Sequence, residues 1–210
     1  YNLAVSCERL DQKSEARETY RKYLDLKPDD ADVWTQLGVL ADEKGDTEEA
    51  QRSYERALAL QPDFGRAQHN LGVLLIEAGR LDEAEKHLER FVSLEEAAGR
   101  HTGEGYYSLG RLHLERGRVR EAKLLFQKAL DSDPSSVLYN NALGDVYLLE
   151  NQADTALVYY NRAIAKDPKY AVAYSSRGDA YRQKGDVARA AADYRKAQEL
   201  NPAYNLVDYK

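Results

Sequence analysis

Large apolar and small residues return along this chain at a fixed interval. Trp34, Leu37 and Ala41 stand at three- and four-residue steps, the spacing that gathers side chains on one face of an α-helix. Leu-Gly pairs keep the same interval at Leu37-Gly38, Leu71-Gly72, Leu109-Gly110 and Leu143-Gly144, with Arg177-Gly178 in the last copy. Ala16, Ala50, Ala84, Ala122, Ala156 and Ala190 form a second series. Four residues after each comes a large side chain: Tyr20, Tyr54, Leu88, Phe126, Tyr160 and Tyr194. Pro28 and Pro62 are 34 residues apart, and Pro134, Pro168 and Pro202 follow one another at the same distance.

Each interval predicts two helices. Gly45, Gly79, Gly117 and Gly185, with Asn151 in the fifth copy, mark the turn between them, because these residue types tolerate left-handed backbone. Asp46-Thr47-Glu48-Glu49 predicts a capping box at the start of a second helix, and the prolines end the second helices. Gly38 with Ala50, or Gly144 with Ala156, is expected to let two helices approach closely, the large Tyr, Phe or Leu filling the gap toward the next unit. Six units follow, at about 1–30, 31–64, 65–98, 103–136, 137–170 and 171–204, as a single array over 1–204. Glu96 stands where the third unit would have its proline, and four residues near 99–102 are extra. A second helix prolonged by about one turn through Leu94-Glu95-Glu96-Ala97-Ala98 is expected there. Residues 205–210 read as the start of a further helix or capping segment.

The pattern Trp-x2-Leu-Gly-x2-Ala…Ala-x3-Tyr-x2-Ala…Pro of residues 34–62 resembles the tetratricopeptide repeat family, and the resemblance covers nearly the whole chain. Tyr23 and Phe91 replace a usual Ala, and Gln68, Tyr106, Asn140 and Tyr174 stand where Trp34 does. The resemblance implies an all-α fold, a right-handed α-solenoid of about six helix-turn-helix units. First helices would line a concave face and second helices a convex one. It also implies a non-catalytic scaffold for protein–protein interaction, with a peptide or helical segment of a partner in the concave groove.

Carried onto this register, the groove residues are Asn2, Gln36, Arg66, His69, Asn70, Tyr107, Arg111, Asn141, Asp145, Ser175, Asp179 and Arg182, with Asp32, Thr35, Val39 and Val73 beside them. Asn2, Gln36 and Asn70 share a register in three successive units and look like the asparagine ladder of O-linked N-acetylglucosamine transferases. Carboxamides donate and accept together, which suits a peptide backbone. Ser108, Ala142 and Ser176 end the match. Arg66, Arg111 and Arg182 suit carboxylates, while Asp32, Asp145 and Asp179 suit basic side chains. The cation and Asn set of chaperone-tail-binding members is not assembled, since Asp32, Thr35 and Val39 supply neither.

Composition narrows the classes. The 210 residues carry 30 Lys and Arg against 36 Asp and Glu, a net charge of −6. That balance argues against phosphate neutralisation as the main task, so no nucleic acid is expected despite the cluster Arg111, Arg116, Arg118, Arg120 and Lys123. Residues 1–102 hold 14 basic and 22 acidic groups, a net of −8, and residues 103–210 hold 16 and 14, a net of +2. The halves therefore present different fields. Mean hydropathy is −0.71, and no run approaches the ~20 apolar residues of a membrane span. Cys7 alone rules out an internal disulfide framework and a Cys-rich zinc site. His69, His87, His101 and His113 lack metal-ligand spacing, no positioned base accompanies Cys7, and the glycines follow the repeat rather than a phosphate loop. No catalytic site, metal or cofactor is expected.

The chain contains no Met, so sequence before Tyr1 is expected. This keeps two alternatives open: a targeting arm of a larger enzyme such as a glycosyltransferase, and an envelope-associated assembly factor or lipoprotein. Cytoplasmic localisation is the default expectation, and a periplasmic or envelope-anchored form the alternative. Uncapped ends of a repeat array also allow self-association.

Overall fold

The computed structural model describes residues 13–100 and 103–203, and among these it places eleven helices and no strand. They fall into two compact units, within Tyr1–His101 and Thr102–Lys210. The first unit holds α1 (Lys13–Leu26), α2 (Ala31–Glu43), α3 (Thr47–Leu60), α4 (Gly65–Glu77) and α5 (Leu81–Ala97). The second holds α6 (Gly103–Glu115), α7 (Val119–Ser132), α8 (Val137–Leu149), α9 (Ala153–Lys166), α10 (Ala171–Gln183) and α11 (Val187–Leu200). The fold is all-α, and it is built from tandem pairs of antiparallel neighbours, a first helix and the second helix that follows it.

Every pair turns in the same way. Gly45, Gly79, Gly117, Asn151 and Gly185 have φ of 80°, 73°, 69°, 59° and 77°. The residue after each sends its N–H back to a carbonyl in the last turn, as from Asp46 to Ala41 at 2.9 Å and from Gln152 to Tyr147 at 2.8 Å. This left-handed cap satisfies carbonyls that the helix end leaves open. The side chain of Asp46 then accepts from the N–H of Glu49 at 3.2 Å and starts α3. The expected capping box is only half formed, because the Glu49 carboxylate pairs with Arg17 and with Arg21 of α1 instead.

The core of each pair is a large side chain on a glycine. A Cβ on Gly38 would lie 2.4 Å from Tyr54, on Gly110 2.5 Å from Phe126, on Gly144 2.4 Å from Tyr160 and on Gly178 2.6 Å from Tyr194. The large residue of the second helix thus lies against the first helix of its own pair. It also packs toward the next unit as expected, Phe126 clustering with Leu143 and Val146 of α8 and Tyr160 with Ala180 of α10; the seat on the glycine of its own pair is the added finding. Tyr160 and Phe126 are fully buried, and burial of such side chains is worth roughly 1.5–3 kcal/mol each. Small residues one turn away let the ring in: Ala156 is fully buried with Tyr160 and Ala180.

The position of Trp34 has a second role. Its indole Nε1 donates to the Pro28 carbonyl at 2.9 Å. In later pairs Gln68 donates to Pro62 at 2.6 Å, Asn140 to Pro134 at 3.1 Å and Tyr174 to Pro168 at 3.3 Å. Four residue types, the motif's Trp and three that look like departures from it, satisfy one recurring acceptor, the carbonyl six residues earlier. Helix α5 has 17 residues where α3 has 14, and it ends through Gly99 at φ 67°.

Candidate partner-binding face

In the first unit the face formed by α2 and α4 is largely engaged with itself. Arg66 on α4 pairs with Asp32 on α2, so two residues expected to meet a partner's charges meet each other. Thr35 is 1% exposed and its hydroxyl donates to the Ala31 carbonyl at 2.9 Å. His69 is 9% exposed, with its ring 4.8 Å from that of Phe91 on α5. Both are therefore packed rather than presented. Gln36 and Asn70 are half-buried, and the Asn70 side chain hydrogen-bonds the phenol of Tyr54, whose pKa burial pushes well up. Asn2 lies outside the described residues, so the ladder is described only at Gln36 and Asn70.

In the second unit the corresponding face carries connected depressions. One of ≈ 210 Å³ is lined by Tyr107, Arg111, Leu114, Glu115, Phe126, Ala142 and Asp145. A second of ≈ 470 Å³ is lined by Asp145, Leu148, Leu149, Asn151 and Gln183. A third of ≈ 430 Å³ is lined by Leu148, Asp179, Arg182 and Gln183. The shared linings of Asp145, Leu148 and Gln183 make the three a continuous surface. All of the lining but Phe126 and the Asn151 turn comes from the first helices α6, α8 and α10.

Tyr107, Arg111, Asp145, Asp179 and Arg182 are thus brought together, and half-buried Ser175 shares their helix face. Tyr107 is also structural: its ring lies 5.8 Å from Phe126 and 5.5 Å from Tyr139. Burial raises its pKa, opposed by the Arg111 charge. Asn141 is only 4% exposed, and its amide donates to Asp145 at 3.0 Å. Leu148, Leu149 and Gln183 were missed by the sequence reading. The signal was there, because residues three and four beyond Asp145 and Asp179 lie one turn further along the same face.

Asp145 and Asp179 repeat one device. The phenol of Tyr160 donates to Asp145 at 2.8 Å, and that of Tyr194 donates to Asp179 at 2.7 Å. The packing tyrosine of each pair thus holds the carboxylate on the neighbouring first helix. Burial raises the Asp145 pKa, and the Asp179 charge adds to this, while the hydrogen bonds of Tyr160, Ser176 and Asn141 oppose it. Asp179 has the guanidinium of Arg182 at 3.1 Å. Among the described residues no three His, Cys, Asp or Glu side chains come together as metal ligands, and no helix is long and apolar enough to cross a membrane.

Paired helices with a glycine-seated ring, a left-handed turn and a proline-carbonyl tie define a helical-repeat protein. Tetratricopeptide repeat models match residues 1–30, 31–64, 63–135, 107–171 and 171–204. The chain belongs to the tetratricopeptide repeat family. A comparison with curated proteins finds no match. Among solved structures, PilW, described as a widely conserved type IV pilus biogenesis factor, aligns at 17% identity over 98% of this chain and 93% of its own, with a TM-score of 0.85. YrrB, described as a tetratricopeptide repeat protein with an unusual peptide-binding site, aligns at 22% identity over 89% and 94%, with a TM-score of 0.63. MamA aligns at 26% identity over 86% and 97%, also with 0.63. These likenesses show a shared fold. None of the matching family models is a catalytic one.

Proposed function

We propose that the protein is a non-catalytic scaffold that holds an extended or helical segment of a partner protein on its first-helix face. The observation that carries this reading is the continuous surface of α6, α8 and α10. There, polar side chains (Arg111, Asp145, Asp179, Arg182) alternate with apolar ones, half-buried Tyr107, Leu114 and Leu148 and exposed Leu149 at 60%. An apolar surface with a few convergent polar groups is what a specific segment needs, the first for affinity and the second for orientation. The peptide-binding site named for YrrB supports the same use of the fold.

A photo-crosslinking amino acid tests the face directly. Placed at Leu149 on α8 in the cells that make the protein, it is expected to trap a discrete partner. Placed at Leu124 on α7, which is 69% exposed on a second helix, it is expected to trap none. Equal trapping at both positions, or trapping at Leu124 alone, would move the site off the first helices. A role in envelope assembly is the second reading, supported by the likeness to PilW. A larger enzyme's targeting arm would require a catalytic domain on the same polypeptide.

A further inference from the structure

Asp145 is a carboxylate without a cation. It sits at the junction of two of the depressions on the second unit's first-helix face. Every group that hydrogen-bonds it is neutral: the Tyr160 phenol, the Asn141 amide and the Ser176 hydroxyl. Its charged neighbour on α10 is another carboxylate, Asp179, which is itself paired with Arg182, 55% exposed in its side chain, at 3.1 Å. Arg111, which shares a depression with Asp145, forms no ion pair with it. A buried carboxylate beside a second one is costly unless a positive charge compensates it.

A second observation points to a missing donor. The Asn141 side chain is 4% exposed and is directed at this carboxylate, and its Oδ1 is buried without a hydrogen-bond partner. Buried acceptors are ordinarily satisfied. On the depressions themselves the acceptors are the Asp145 and Asp179 carboxylates, and the donors near them are engaged elsewhere, Arg182 with Asp179 and the Gln183 amide with Leu148 and Asn151. An ammonium carries three donors and a guanidinium five, and neither accepts. Next to the acids, Leu148 and Leu149 supply apolar surface one turn along α8, which suits the methylene stem of a long basic side chain.

Building on the scaffold reading above, we propose that Asp145, positioned by Asn141 and assisted by Asp179, receives the Lys or Arg side chain of a basic partner segment, whose apolar neighbours lie on Leu148 and Leu149. The charge of the segment is opposite to that of the acceptor it meets. The raised pKa of Asp145 fits this assignment, because an arriving cation relieves the burial that causes it. The same residue then costs the empty fold and strengthens the occupied one.

The test uses the full chain and a phage-displayed library of random dodecapeptides. Enriched peptides are expected to carry Lys or Arg at a recurrent position. A synthetic copy of the best binder should lose about 10- to 100-fold in affinity toward Asp145→Asn, the range for a hydrogen bond to a charged group. Asp131→Asn, an exposed acid on α7, should leave affinity unchanged. Norleucine in place of the peptide's basic residue tests the same contact on the unaltered protein, and combining it with Asp145→Asn should lose nothing further. Binders without a recurrent basic residue, or a norleucine peptide that binds equally well, would overturn the inference and leave the scaffold reading in place. A library that yields no binder would count against the scaffold reading itself, and the inference would fall with it.

Discussion

Gly144 has no side chain because Tyr160 occupies the space. An added Cβ would lie 2.4 Å from Cε1 and 2.7 Å from Cδ1 of a ring that is fully buried and whose hydroxyl is fixed on Asp145. The ring cannot swing aside without losing that bond. Gly144→Ala is therefore expected to destabilise the chain by about 1–3 kcal/mol, the usual cost of overpacking, although Ala is the better helix former by about 0.5–1 kcal/mol. A urea midpoint equal to or above that of the parent would contradict this account of the glycine. The series of glycines and large residues was legible from spacing alone. The seat of each ring on the glycine of its own pair was not, because periodicity fixes a register without showing that the side chain meets both flanking first helices. The same limit explains His69 and Thr35. Their register placed them on the first-helix face, but the width of the buried stripe on α2 and α4 depends on α3 and α5, which the register does not include.

At the scale of the element, Gln68 shows how chemically different residues do one job. Its Nε2 is committed to the Pro62 carbonyl at 2.6 Å, so its Oε1 faces the ring of His87 on α5 at 2.6 Å. The ring nitrogen Nδ1 must then donate, which fixes the neutral tautomer that carries its hydrogen there. Burial lowers the His87 pKa from the ordinary 6.5, with Arg80 and Lys86 acting in the same direction and Glu83 and Glu55 opposing. As pH falls through 6.5 the unfolded chain takes up this proton before the folded one, so folding stability decreases from there down to the folded-state value and no further. Between roughly pH 7.5 and 5.5 the parent should lose more stability than His87→Gln, read from urea midpoints at each pH. Equal losses in the two proteins would show that His87 is not held neutral by the α4–α5 pair. In the sequence, Trp34, Gln68, Asn140 and Tyr174 looked like one match and three departures. Their common property, a donor that reaches a proline carbonyl, is visible only once the loop is folded over the helix start.

At the scale of the whole molecule, the fold class and family were legible because six copies of one pattern reinforce one another. The proposed partner face was legible only as a register. What distinguishes the two units is how that register is used. In the first, Arg66 and Asp32 neutralise each other, within a stretch whose net charge is −8 from 14 basic and 22 acidic groups in residues 1–102. In the second, a stretch of net charge +2 with 16 basic and 14 acidic groups in residues 103–210 keeps the uncompensated Asp145 among its first helices. Net charge by stretch therefore misstates the field at the site, because most of the basic residues lie on the second helices and turns. On the proposed reading, a partner segment lies across α6, α8 and α10. Amide hydrogen exchange of the full chain, with and without the best library dodecapeptide, tests it most directly. The account predicts slowed exchange concentrated in Gly103–Glu115, Val137–Leu149 and Ala171–Gln183. Slowing confined to the second helices Val119–Ser132, Ala153–Lys166 and Val187–Leu200 would contradict it.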